Sequence, residues 1–480
     1  MIKSNIQLYK NAGALLVLIG LSSCSVQKYQ QPELKLPDNF RSGEQLEFAQ
    51  DSTVTSIAKI PYREFFTDPV LLSLIEEGIA NNNDLKVALK QIEIASLGYN
   101  QSKWGNIPVV GLNVGTASIN RPSDNSLNGV MFGEFLGQRY IEDYTSTINI
   151  SWEADIWGKI KGRKEAALAS YLQTQEATKA VQTQLVAQIA QGYYNLLMLD
   201  MQLIITNQNL ELVNRTLNMT KKQQELGLTT SLSVQQQENT KDQLLASIPV
   251  IEQAITIQEN ALSTLTGKMP GEIKRDSKLT DTATLEYKSI GIPSEMLSYR
   301  PDVKSSELTV RQAFANVKVA KKSMYPALNI TAQGGLNAFE LKDWFEIPGS
   351  LFGLAAGSIT QPLFNGKQLK TQYKQSQIAM EQAELNFKQT VLNAVGEVSN
   401  VLATIESADK QEEITTRLVS RSQEAVETST KLFQNDMATY LDVIVAQNNK
   451  LQVELSLASV KQQKLSAVVN LYRALGGGWN

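Results

Sequence analysis

Two long stretches of this chain, Lys159 to Leu226 and Lys367 to Gln434, contain no proline. At ~1.5 Å per residue an unbroken helix over either would reach ~100 Å. Helices of that length are rare in globular domains, so coiled-coil or bundle packing is favoured. Val391, Val395, Val398, Leu402 and Ile405 step by four and three, and so do Leu185, Ile189, Tyr193 and Leu196, which is heptad spacing. A turn-prone break follows each stretch, Gly227 in one and Asn435-Asp436 in the other, and a second helical segment follows each break.

The recurrence extends along the chain with a period of roughly 210–220 residues, far longer than a solenoid repeat. Asp84-Leu85-Lys86 leads to Pro108, and Asp302-Val303-Lys304 leads to Pro326. Ile156-Trp157-Gly158-Lys159 matches Leu363-Phe364-Asn365-Gly366-Lys367 with one inserted residue. Gly227 to Leu232 matches Asp436 to Leu441, and Ala261-Leu262 to Gly267 matches Asn470-Leu471 to Gly476. The order is the same in both halves, so the chain is a tandem duplication. Each unit reads as an amphipathic helix (roughly 69–104 and 294–324), two short strands, and a long helical hairpin.

The strand segments alternate. Ile148 to Glu153 and Leu328 to Gln333 place apolar residues on one side and small neutral polar residues on the other, as Leu112, Val114 and Thr116 do with Asn113 and Gly115. The fourth segment, Phe352 to Thr360, is glycine-rich and its phase is ambiguous. These patterns suit a small antiparallel sheet or strands of ~10 residues crossing a membrane with a wet lumen. Four strands cannot close a barrel alone, because the smallest have ~8.

The N-terminus is an address. Lys3 and Lys10 precede an apolar run, Ala12 to Leu21, too short for a stop-transfer anchor, and Cys24 follows small residues. Leu21-Ser22-Ser23-Cys24 resembles the bacterial lipobox, which implies cleavage before Cys24 and acylation of that cysteine; Ser25 fits sorting to the outer membrane. Cys24 is the only cysteine and there is no histidine, which excludes internal disulfides and imidazole-based catalysis or metal ligation. The 41 glutamines suit long helices with wet faces. Net charge is -3, and no local basic patch for nucleic acid is expected.

A lipoprotein signal with a duplicated strand-strand-hairpin unit resembles the outer-membrane efflux proteins of the TolC/OprM type, in their lipoprotein branch. The residues that carry it are Asp155 to Lys159, Ser247-Ile248-Pro249 with Leu262 to Gly267, Tyr299-Arg300-Pro301-Asp302-Val303, Tyr325-Pro326, Gln361 to Gly366, and Tyr472 to Trp479. The resemblance implies an α+β fold in which four strands per chain join a trimeric, twelve-stranded outer-membrane β-barrel, above a long α-helical periplasmic tunnel. Its segments would be a signal peptide (1–23), a lipid-anchored extended segment (24–68), a first repeat (69–269), an equatorial linker (270–293), a second repeat (294–476) and a tail (477–480). The implied activity is passive export of drugs or other toxic small molecules, fed by a periplasmic adaptor and an inner-membrane pump. No cofactor, metal site, catalytic residue or nucleic-acid partner is expected. Metal ions or secreted polypeptides are alternative cargoes, and a coiled-coil periplasmic lipoprotein without a barrel is the alternative class.

Site residues follow from the same resemblance. The hairpin tips, with Gly227, Leu228, Thr229, Asp436, Met437 and Ala438, would dock the adaptor, or be ordinary helix-helix turns. Asp442, with Tyr440 nearby, would narrow the resting tunnel, or Asp442 would be a first-turn residue favourable to the helix dipole. The family's second acidic position is Val445 here, and Asp436 stands where it usually has glycine. Trp152 and Trp157 are expected at the membrane interface, and Trp344 in an external loop, as is the 122–140 segment.

Overall fold

The computed structural model describes residues 29–32, 60–131, 133–134, 137, 139–275, 277–279, 299–435 and 437–479. Residues 1–34 separate from 35–480 as a unit of their own, of which only 29–32 are described, without regular structure. The signal, Cys24, Asp436, most of 24–68 and most of 270–293 lie outside the described residues.

In the larger unit the elements are α1 (Pro69–Asn81), α2 (Asn83–Lys103), β1 (Val109–Asn120), β2 (Ile141–Ala154), α3 (Lys159–Glu225), α4 (Ser231–Leu265), α5 (Pro301–Lys322), β3 (Ala327–Ala338), β4 (Leu351–Thr360), α6 (Gln368–Gln434) and α7 (Tyr440–Ala474). The duplication is exact in length: α3 and α6 have 67 residues each, and α4 and α7 have 35 each. Both pairs begin 209 residues apart (159 and 368; 231 and 440). The expected heptad positions form the seams: Leu185, Ile189, Tyr193, Leu196, Val391, Val398, Leu402 and Ile405 are buried, and Val395 is half-buried. The inserted residue before α6 is absorbed as a second left-handed position: Gly158 precedes α3, whereas Gly366 and Lys367 (φ 64°) precede α6.

One expectation is corrected. The helix anticipated across 69–104 is two helices, broken at Asn82 (φ -57°, ψ 128°). Capping explains the break. Asp68 accepts from the amides of Val70 and Leu71 to start α1, and Asn82 accepts from Leu85 to start α2.

The break lets α2 sit on the end of another helix. Asn82 Nδ2 donates to the Leu265 carbonyl at 3.0 Å, so α2 caps the C-terminus of α4. In the second repeat Arg300 Nη1 donates to the Ala474 carbonyl at 2.6 Å, so α5 caps α7 in the same way. Gly267 (φ +72°) and Gly476 (φ +98°) make the two close approaches possible: a Cβ would lie 2.7 Å from the Asn81 carbonyl oxygen or 2.8 Å from the Tyr299 backbone. The helices pack side by side, in the order α4, α3, α7, α6 on one side of these junctions and α2, α3, α5, α6 on the other.

The strands form one antiparallel meander, β1-β2-β3-β4, joining the two repeats through β2 and β3. Register resolves the phase of β4. Val110, Ile150, Ala332 and Ala355 form one cross-strand row, and Leu112, Ile148, Gly334 and Gly353 the next, all on the apolar face. Asn149 and Gln333 share the other face, as do Ser151 and Thr331. β1 and β4 are unpaired along their outer edges, and β1 is exposed throughout. Among the described residues no helix is long and apolar enough to cross a membrane.

Candidate functional site: the hairpin tips and the uncharged helix face

α3 ends at Gly227 (φ +75°), where Gly227 donates to the Gln224 carbonyl and Leu228 to that of Gln223, a Schellman pattern. The second tip closes alike, with Met437 donating to the Leu432 carbonyl at 2.9 Å. Leu226, Leu228, Met437 and Leu441 are exposed here, so each tip presents apolar side chains to water. Thr229 Oγ1 donates to Ser233, and Ala438 is half-buried.

Asp442 closes a capping box at the start of α7. Its Oδ2 accepts from the Thr439 amide (2.8 Å) and hydroxyl (2.7 Å). The Thr439 hydroxyl hydrogen bond, then the Thr439 amide, hold the exposed carboxylate below its ordinary range. Of the two roles open to Asp442, the first-turn role is the one made by contacts within the chain. In the first repeat Thr230 and Ser233 occupy the matching positions, and no side-chain cap forms.

Tyr440 ties the two hairpins together. Its hydroxyl donates to Gln236 Oε1 of α4 at 2.6 Å, across α3. Beneath this bridge the packing is polar. Thr220 and Gln237 are fully buried, Gln447 donates to Thr216 at 2.8 Å, and neither amide atom of Gln237 has a partner among the described residues.

One face of α3, shared with its neighbours, is uncharged. Gln191 donates to Asn470 of α7 (2.8 Å), and Asn195 donates to Gln258 of α4 (2.8 Å). Gln188, Gln462 and Ser466 complete an open groove that has no charged residue. The opposite face of α3 carries the ionic contacts. Tyr193 donates to Asp68 at 3.0 Å, with burial first and the Asp68 charge second pushing its phenol well up. Asp200 takes two bonds from Arg275, which also holds Glu259.

Trp152 Nε1 donates to the Asn106 carbonyl and Trp157 Nε1 to that of Pro326, so both indoles sit where strands meet helices. Trp104 (68% exposed) and Phe364 (86%) lie at the same level, outside the core. Trp344 stacks on Phe345 between β3 and β4. Among the described residues no three His, Cys, Asp or Glu side chains gather to hold a metal.

An open-edged sheet with one apolar and one polar face, set on helical hairpins with an uncharged wall, defines a subunit of an outer-membrane channel. The chain belongs to the outer membrane efflux protein family, whose model matches residues 74–268 and 292–477. It is 27% identical over 463 residues (96% of this chain, 93% of the relative) to a probable efflux pump outer membrane protein, TtgC, of Pseudomonas putida. It is 25% identical to the cation efflux system protein CusC of Escherichia coli, over 96% of this chain and 97% of that one. Solved channels share the fold: CusC (TM-score 0.83, 24% identity, 95% of this chain and 100% of that one) and MtrE of Neisseria gonorrhoeae in its open state (0.83, 22%, 95% and 98%). The chain is thus an outer-membrane efflux channel component, a duct by family rather than an enzyme.

Proposed function

We propose that three copies assemble into a passive duct that carries small toxic organic molecules from a periplasmic adaptor and inner-membrane pump to the outside. The observation that carries this reading is the matching pair of open edges. β1 and β4 lie at opposite sides of the sheet, and α2/α4 and α6 lie at the corresponding sides of the helix layer. Exposed apolar residues mark both, with Ile94 and Leu97 on α2, and Ile378, Leu385 and Leu392 at heptad spacing on α6. Three chains closing edge to edge give twelve strands, within the range of known barrels. The rows containing Leu112 and Ile150 then face lipid, and the groove of Gln188, Gln191 and Asn470 faces the tunnel. Such a wall hydrogen-bonds solutes of either charge without retaining them.

Cys24 is the proposed lipid anchor. Native mass spectrometry of protein extracted from outer membranes in mild detergent should give three chains, each lacking residues 1–23 and acylated. A stable single chain without acyl groups would leave the shared barrel unsupported. Cys24→Ala should give a trimer of unlipidated chains.

The apolar tips at Leu228 and Met437, with Gly227, Thr229, Asp436 and Ala438, are the proposed adaptor-docking surface. Tyr440 and Asp442 are the proposed constriction, with the Tyr440–Gln236 bond holding the tips together at rest. Separation here is cheap, because the buried Gln237 amide regains bonds to water. Tyr440→Phe removes a bond worth ~1 kcal/mol, so the open fraction should rise about fivefold. Single-channel recording reads this directly, and an unchanged open probability places the closure elsewhere.

A further inference from the structure

Strand register brings four distant chain segments to one level. Val109 pairs with Ser151, Ala154 with Leu328, and Ala327 with Thr360, so the membrane-proximal ends of α2, α3, α5 and α6 stand side by side. Contacts tie them together: Lys322 Nζ donates to the Gly158 carbonyl at 3.1 Å, and Gln361 donates to that of Met324 at 3.0 Å.

These ends are strongly basic. Lys103, residues 153–165, residues 318–322 and residues 367–374 hold eleven Lys or Arg against three Asp or Glu, in a chain whose net charge is -3. The three acids are spent locally. Glu153 pairs with Lys159, Glu165 with Lys318 at 3.3 Å, and Asp155 accepts from the Ile160 and Lys161 amides. Lys161, Arg163 and Lys164 on α3, Lys321 on α5, and Lys370 and Lys374 on α6 are exposed, and none pairs with a carboxylate among the described residues.

A second, independent feature marks the same level. Trp104 follows Lys103, and Leu363 and Phe364 precede Lys367; all three apolar side chains are exposed. Aromatic and apolar side chains beside unpaired cations suit the headgroup layer, where rings sit among acyl carbonyls and cations meet phosphates. Resting on the barrel reading above, we propose that this junction is a binding ring for anionic phospholipids of the periplasmic leaflet. The phosphate of a glycerophospholipid accepts charge-assisted hydrogen bonds from lysines of adjacent helix ends, while its acyl chains lie on the apolar face of the strands. Lipid bound across neighbouring helix ends then fixes the depth of the barrel in the membrane.

The test uses the full-length trimer reconstituted in vesicles of equal parts phosphatidylcholine and phosphatidylglycerol, released into detergent and weighed by native mass spectrometry. Retained phosphatidylglycerol should exceed phosphatidylcholine about tenfold or more, and the excess should vanish in high salt. A variant carrying Lys161→Gln, Lys164→Gln, Lys370→Gln and Lys374→Gln should keep the trimer mass and lose the excess, whereas Lys388→Gln, further along α6, should not. Phosphatidylglycerol should also raise the trimer's dissociation temperature, and inorganic phosphate should not. Equal retention of the two lipids, an excess unchanged in the fourfold variant, or equal protection by free phosphate overturns the proposal. A trimer that keeps neither lipid overturns it while leaving the three-chain assembly in place; a chain that is never membrane-embedded overturns the barrel reading with it.

Discussion

Gly335→Ala is expected to abolish the folded barrel, whereas Gly334→Ala, one residue earlier on the same strand, is expected to be nearly silent. A Cβ on Gly335 would lie 1.9 Å from the Ser146 carbonyl oxygen and 2.9 Å from the Thr147 Cα, all backbone atoms that no rotamer change can move. A Cβ on Gly334 would meet nothing nearer than the Phe352 carbonyl oxygen at 3.6 Å, an ordinary contact. The register explains why the site has such leverage. Gly335 pairs with Thr147, on the β2–β3 ladder that joins the two repeats. Relief requires parting that ladder by more than an ångström, at a cost of ~3 kcal/mol or more per chain and again in each copy of the barrel. Heat-modifiable migration on gels reads the outcome: Gly334→Ala should keep the compact trimer band and Gly335→Ala should lose it. A normal trimer from Gly335→Ala would mean that β2 and β3 pair differently in the assembled barrel.

Much of this architecture was legible before any coordinates. Absence of proline and a heptad of Val, Leu and Ile residues specify a long helix wherever they persist, and α3 and α6 follow that rule to within one residue, whereas α4 stays helical through Pro249. Alternation revealed β1, β2 and β3 because their apolar residues are large. It failed for β4, where Gly353, Ala355 and Gly357 are too small to declare a face, and only pairing with β3 assigns one. The break at Asn82 was hidden because Asn82-Asn83-Asp84 interrupts no apolar pattern; its signal was the run of capping residues itself. The basic ring was missed for a different reason. Its cations are scattered over four segments between Lys103 and Lys374, and only strand register makes them neighbours. The two roles weighed for Asp442 could not be separated by sequence, since a capping carboxylate and a channel-lining one are the same residue type. The Thr439–Asp442 spacing was nevertheless present as a capping-box signature.

Arg300→Met should be the most destabilising change below the membrane, and it should also weaken the response to acid near the junction. Arg300 is buried, and its guanidinium reaches the Ala474 carbonyl (2.6 Å), Glu397 (2.9 Å) and both oxygens of Asp302 (3.0 and 2.7 Å). Arg473 also holds Glu397, so α5, α6 and α7 meet in one ionic cluster. Removing the buried cation strands a helix C-terminus and leaves Asp302 with backbone partners only, at a cost of ~3 kcal/mol. Asp302 reports the change. Desolvation pushes its carboxyl upward, but the Arg300 hydrogen bonds and charge override this and hold it below its ordinary range. In the native protein its contribution is therefore present above about pH 4 and lost as pH falls through its depressed folded value. Without Arg300 the Val303 amide still hydrogen-bonds the carboxyl and opposes desolvation, so the folded value should move up toward the ordinary range and the loss of stability on acidification should shrink. Thermal unfolding of the solubilised protein at neutral pH and at about pH 3 separates the cases. The native protein should lose stability over that interval and Arg300→Met should lose less. A variant that merely loses stability equally at both values would show that Arg300 packs the junction without governing Asp302. The first repeat provides the comparison, because Asn82 performs the same carbonyl capping without charge. Asn82→Ala should therefore weaken the α2–α4 junction by ~1 kcal/mol with no change in pH dependence.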